Sequence, residues 1–135
     1  MRSVRLGKSF GIATVAIFAL GAFAPARSAP DARFHIKLVK SSPAADDTVA
    51  NGPASIKLWF SEAIELPVSS VKLTGPMGVS VPLAKLTRTD SAGAPIVAAI
   101  ANPLADGAYK ATWKTSSKDG HPATGTVAFT VRLKR

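Results

Sequence analysis

The sequence has 135 residues, with 17 Lys+Arg against 8 Asp+Glu, 10 Gly, 10 Pro and no Cys. That length supports one domain. The lack of Cys excludes disulfides, thiolate-held zinc or iron–sulfur clusters, and thiol nucleophiles. An apolar content of 47% excludes a wholly disordered chain. The density of Gly and Pro argues for many turns and against long helices.

Residues 1–28 read as a secretory signal peptide. Arg2, Arg5 and Lys8 form a positive start, Phe10 to Phe23 is small or apolar, and Ala26-Arg27-Ser28 is a small-x-small cleavage site. The apolar run is shorter than the roughly 20 residues a membrane span needs. The expectation is export to the periplasm and no membrane span once the signal is cleaved. Removal of residues 1–28 takes Arg2, Arg5, Lys8 and Arg27 and no acid, leaving 13 basic against 8 acidic residues. This modest excess is spread along the strand candidates and the turns between them, at Lys37, Lys57, Lys72, Lys85, Lys110 and Lys114. That pattern reads as a solvated sheet face and argues against a nucleic-acid partner.

Residues 29–34 form a short flexible lead-in, and the folded domain spans 35–135. Within it Ser55–Phe60 alternates, with Ile56, Leu58 and Phe60 on one face. Ser69–Thr74 turns Val71 and Leu73 inward. Ala108–Thr115 sets Tyr109, Ala111 and Trp113 against Lys110, Thr112 and Lys114. Thr126–Leu133 sets Val127, Phe129, Val131 and Leu133 against Thr126, Ala128, Thr130 and Arg132. This period of two marks half-buried antiparallel strands. His35–Lys40, Val79–Leu83 and Pro95–Ala101 are weaker candidates. The predicted core is Leu58, Phe60, Val71, Leu73, Tyr109, Trp113, Val127, Phe129 and Val131. About seven such strands punctuated by turns predict an all-β sandwich or small Greek-key barrel.

The sequence holds no GxSxG, HExxH or phosphate-loop motif. The informative segment is Ser116-Ser117-Lys118-Asp119-Gly120-His121-Pro122, a hairpin-like connection. In an extended or bulged backbone Asp119 and His121 project to the same side and reach a common point. An ordinary Asp-Gly hairpin turn, with Asp119 capping backbone N–H groups, explains the same residues. His35 opens the first strand candidate, and Glu62 ends the one that starts at Ser55. Both read as surface residues unless the three segments meet in space.

The ordered landmarks His35-Ile36-Lys37-Leu38-Val39-Lys40-Ser41-Ser42-Pro43-Ala44, Leu58-Trp59-Phe60-Ser61-Glu62, Pro103-Leu104, Gly107-Ala108-Tyr109-Lys110-Ala111-Thr112-Trp113, and Ser116 to Pro122 with Gly125 and Phe129 resemble the CopC family of small exported copper-binding proteins. The resemblance covers about His35 to Leu133. It implies an immunoglobulin-like or cupredoxin-like Greek-key β-fold with one Cu(II) bound at one end. It also implies metal ligands at His35, His121 and Asp119, with Glu62 close by, and a CopD-like inner-membrane copper transporter as partner. Nitrogen and carboxylate donors suit Cu(II).

Two departures stand out. Met77 is the only methionine beyond Met1, so the thioether ligands of Cu(I) sites are missing. Cleavage after Ser28 places Ala29 to Phe34 ahead of His35, which ties its amine into a peptide bond and leaves the ring alone as donor. Two other functions compete. One is a non-metal β-sandwich interaction module partnering a membrane protein. The other is a copper enzyme activating oxygen, but nothing marks a substrate groove, so an enzyme is not expected.

Overall fold

A computed structural model describes residues 36–91 and 93–134. The signal peptide of residues 1–28, the lead-in of 29–34 and His35 lie outside the described residues. The strands are β1 Leu38–Ser42, β2 Asp47–Val49, β3 Ser55–Phe60, β4 Ser70–Thr74, β5 Ser80–Val81, β6 Thr87–Arg88, β7 Ile96–Ala99, β8 Gly107–Ser116 and β9 Pro122–Val131. Two single turns of 3-10 helix, Leu66–Val68 and Pro76–Gly78, are the only helical pieces among the described residues. There are nine strands rather than about seven because β2, β5 and β6 have three, two and two residues. Segments that short carry no readable period.

The strands form two sheets, ordered β1-β3-β7-β6 and β2-β9-β8-β4-β5. Pairing is antiparallel except where β2 runs parallel to β9. The chain passes between the sheets at β1–β2, β2–β3, β3–β4, β5–β6 and β7–β8, giving an immunoglobulin-like sandwich.

Alternation fixes the interior. Leu58, Leu73, Tyr109, Trp113, Val127, Phe129 and Val131 are buried as predicted, whereas Phe60 and Val71 are only partly buried against the core. Ile36, Ile64, Ile96, Ala98 and Leu104 complete it from outside the well-patterned strands. Each fully buried large apolar side chain contributes roughly 1.5–3 kcal/mol. Leu133, placed inside by alternation, lies beyond the end of β9 and is exposed. β9 also starts earlier than its apolar pattern, at Pro122, a position where a strand tolerates the missing N–H.

Two aromatic contacts organise the core. The Tyr109 hydroxyl donates to the Ala105 carbonyl at 2.9 Å, pinning the loop that enters β8, and its ring stacks on Phe129 at 5.6 Å. Trp113 meets Phe60 edge-on, with centroids 5.1 Å apart and planes at 72°. Across the ladder Trp113 faces Gly125, and a Cβ built on Gly125 would overlap the indole. Met77, at φ 60° in the Pro76–Gly78 turn, is 100% exposed.

Candidate functional site

β8 and β9 pair along their whole length, from Gly107↔Val131 to Ser116↔Pro122. The five residues beyond that last pair make a tight, self-bonded turn. The Ser117 N–H donates to the His121 carbonyl at 3.0 Å, and the Gly120 N–H donates to the Ser117 carbonyl at 3.0 Å. Gly120 sits at φ 89°, a left-handed value that glycine adopts without a Cβ penalty. The buried Ser117 hydroxyl oxygen accepts the His121 N–H at 3.1 Å and donates its own proton to Asp119 Oδ1. The second Asp119 oxygen, Oδ2, stands 3.0 Å from His121 Nδ1. Asp119 therefore engages two side chains, which goes beyond the backbone cap an Asp-Gly turn would suggest. The Ser117 hydroxyl and, next, His121 hold its carboxyl below the ordinary carboxylate range. The His121 and Asp119 side chains remain 59% and 50% exposed, open to an incoming ion.

The same end of the sandwich gathers two other segments. Ser117 forms a β-bridge with the buried Ile64, and the Glu65 N–H donates to the Ser116 carbonyl at 2.8 Å. Three residues upstream of Ile64, the Ser61 N–H donates to the Lys37 carbonyl at 2.9 Å, and Ser61 Oγ accepts the Lys37 N–H at 3.0 Å. The chain entering β1, the segment after β3 and the β8–β9 turn are thus tied together in series. Glu62 lies within the segment so tied, between Ser61 and Ile64.

The predicted site residues fare differently. Asp119 and His121 are brought together. Glu62 is exposed and lines a cleft of about 490 Å³ with Phe60, Arg88, Asp90 and Lys118, a neighbour of the Asp119–His121 pair. His35 lies outside the described residues, and among the described residues no three His, Asp or Glu side chains form a metal-holding group. Ser117 was not singled out from the sequence. A serine in a Ser/Gly-containing turn looks like turn composition, and its role exists only once the turn folds back on itself.

The donor chemistry fits a divalent ion. A carboxylate against Nδ1, as Asp119 stands here, is a common way for a protein to fix the orientation of an imidazole at a metal site. Nitrogen and oxygen donors of this kind suit Cu(II) and Zn(II).

The CopC domain family model matches residues 38–132, which holds both sheets and the β8–β9 turn. The chain belongs to the CopC family. "Copper resistance protein C" of Pseudomonas syringae pv. tomato is 38% identical to it over 123 residues, spanning 87% of this chain and 94% of the relative. CopC from Methylosinus trichosporium OB3b superimposes with a TM-score of 0.68 at 30% identity, covering 75% of this chain and 97% of that one. PcoC from Escherichia coli, described as a methionine-rich copper resistance protein, gives 0.65 at 33% identity, covering 73% and 99%. This CopC domain is not methionine-rich, since Met77 is its only methionine.

Proposed function

We propose that this CopC-family chain is an exported protein that binds one Cu(II) and carries or stores it for copper homeostasis and resistance. The observation that carries the reading is the Asp119–His121 pair, held by Ser117 at the end of the sandwich where the chain entering β1 also arrives. His121 is the least replaceable ligand. Asp119 ligates directly or orients the imidazole, His35 supplies a second imidazole one residue before Ile36, and Glu62 ranks last. The site binds its cargo without catalytic turnover, and copper is the ligand transferred.

Three further statements rest on the same reading. Signal-peptide features in residues 1–28 support a periplasmic location, and among the described residues no helix is long and apolar enough to cross a membrane. Cleavage after Ser28 leaves the His35 amine in a peptide bond, so the site is weaker, and less selective over zinc, than one built on a terminal histidine. A CopD-like membrane transporter is the proposed recipient, and Cu(I) is not held tightly because Met77 stands alone.

Cu(II) titration of the processed protein and its His121→Ala variant tests the reading. The wild type takes up one equivalent, and the variant loses most of its affinity. Unchanged stoichiometry and affinity in His121→Ala overturns the assignment.

A further inference from the structure

Three of the lysines spread along the sequence come together in the fold. β4 and β8 are adjacent, with Ser70 opposite Lys114, Lys72 opposite Thr112 and Thr74 opposite Lys110. Lys72, Lys110 and Lys114 are all exposed, while the alternating residues Leu73, Tyr109, Ala111 and Trp113 are buried. The three ammonium groups therefore share the outer face of the larger sheet. Lys72 lies diagonally between the other two, about 7–8 Å from each at the backbone.

Their surroundings are equally regular. Each lysine has a hydroxyl residue as its cross-strand neighbour on β4–β8, and β9 continues the face with Thr124, Ala128 and Thr126 opposite Lys114, Lys110 and Thr112. β4, β8 and β9 contain no acidic residue. Among the described residues no carboxylate lies within ion-pair distance of the three lysines. A sheet gains nothing from diagonal like charges, which repel. What such a face does offer is an array of ammonium groups on flexible stems, interleaved with hydroxyl donors. That is complementary to a plane of phosphate groups.

We propose that the outer face of β4, β8 and β9 docks the protein onto anionic phospholipid headgroups, with Lys72, Lys110 and Lys114 as the contacts. Lys114↔Thr124 lies two ladder pairs from the Ser116↔Pro122 pair that leads into the Asp119–His121 turn, so the turn stands at one end of this face. The inference does not rest on copper binding. Each ammonium near an anionic bilayer contributes about fivefold to the partition coefficient, so the three together contribute about a hundredfold, and salt screens the effect.

Vesicle co-sedimentation tests this. The processed protein, its N-terminus fixed by intact mass, is mixed with vesicles of phosphatidylcholine alone or of phosphatidylcholine with phosphatidylglycerol, at low and at molar salt. The expected result is binding to the anionic vesicles only, lost at high salt, and weakened about a hundredfold in Lys72→Gln/Lys110→Gln/Lys114→Gln. The comparison variant Lys57→Gln/Lys85→Gln/Lys134→Gln removes the same charge from elsewhere and retains most of the binding. Both triples are checked for a wild-type near-ultraviolet spectrum. Equal loss in the two triples, equal binding to neutral vesicles, or no binding by the folded wild type overturns the proposal. In the last case, capture by an acidic protein partner is the competing explanation of the face.

Discussion

Gly125→Ala is a small change with a calculable consequence. Gly125 sits within β9 directly across from Trp113, and the position its Cβ would take is already filled by the indole, whose Nε1 is 3.0 Å away. The indole is itself packed, only 6% exposed and edge-on to Phe60. Accommodating one methyl group therefore moves a packed aromatic pair, a strain of about 1–3 kcal/mol. Replacing a strand glycine returns about 0.5–1 kcal/mol of backbone entropy. The net loss is about 1–2 kcal/mol, or about 5–15 °C in melting temperature for a domain of this size. Urea and thermal unfolding followed by tryptophan fluorescence measure it.

A second variant isolates the cause. Trp113→Phe shrinks the ring and removes an indole N–H that is buried without a hydrogen-bond partner among the described residues. In that background Gly125→Ala should cost about 1 kcal/mol less, the coupling expected of residues in contact. A neutral Gly125→Ala, or an equal cost in both backgrounds, refutes the packing argument.

Other expectations follow from the same geometry. Tyr109→Phe removes the bond to the Ala105 carbonyl and should lower unfolding free energy by about 1 kcal/mol, read from the urea midpoint. Ser117→Ala removes the proton donor to Asp119 and the acceptor for the His121 amide, so Cu(II) affinity should fall by about tenfold while the far-ultraviolet spectrum is unchanged. An affinity equal to wild type would show that Ser117 does not orient the pair. Because the folded-state carboxyl of Asp119 is lowered, its stabilisation is present above the unfolded value and is lost as pH falls through the folded one. The stability gap between wild type and Asp119→Asn should therefore be constant near neutrality and shrink below about pH 4. A gap that instead widens on acidification has the wrong sign for this argument.

What could be read from the sequence was what has a period. β3 and β8 alternate, and of their inward apolar positions Ile56, Leu58, Tyr109, Ala111 and Trp113 are buried in the core, with Phe60 packed against it. β9 was half legible because Pro122 to Gly125 are small or polar, although they pair in register with Trp113 to Ser116. Leu133 was misplaced because alternation does not announce where pairing stops. Ile36, Ile64 and Leu104 enter the core from connections, where no period applies. At the site, Asp119 and His121 were legible as an i, i+2 pair on one turn. Their support was not, since the Ser61–Lys37 bonds and the Ile64–Ser117 bridge join residues far apart in sequence.

The position of Met77 bears on durability. Copper with oxygen or peroxide generates oxidants, and sulfur side chains are the first to suffer. A buried methionine converted to its sulfoxide would force a polar group into the core. This domain has no cysteine, and its single methionine is wholly exposed on the Pro76–Gly78 turn. Oxidation there leaves no void and no stranded dipole. The buried core of the sandwich holds no sulfur for the chemistry of its proposed cargo to oxidise.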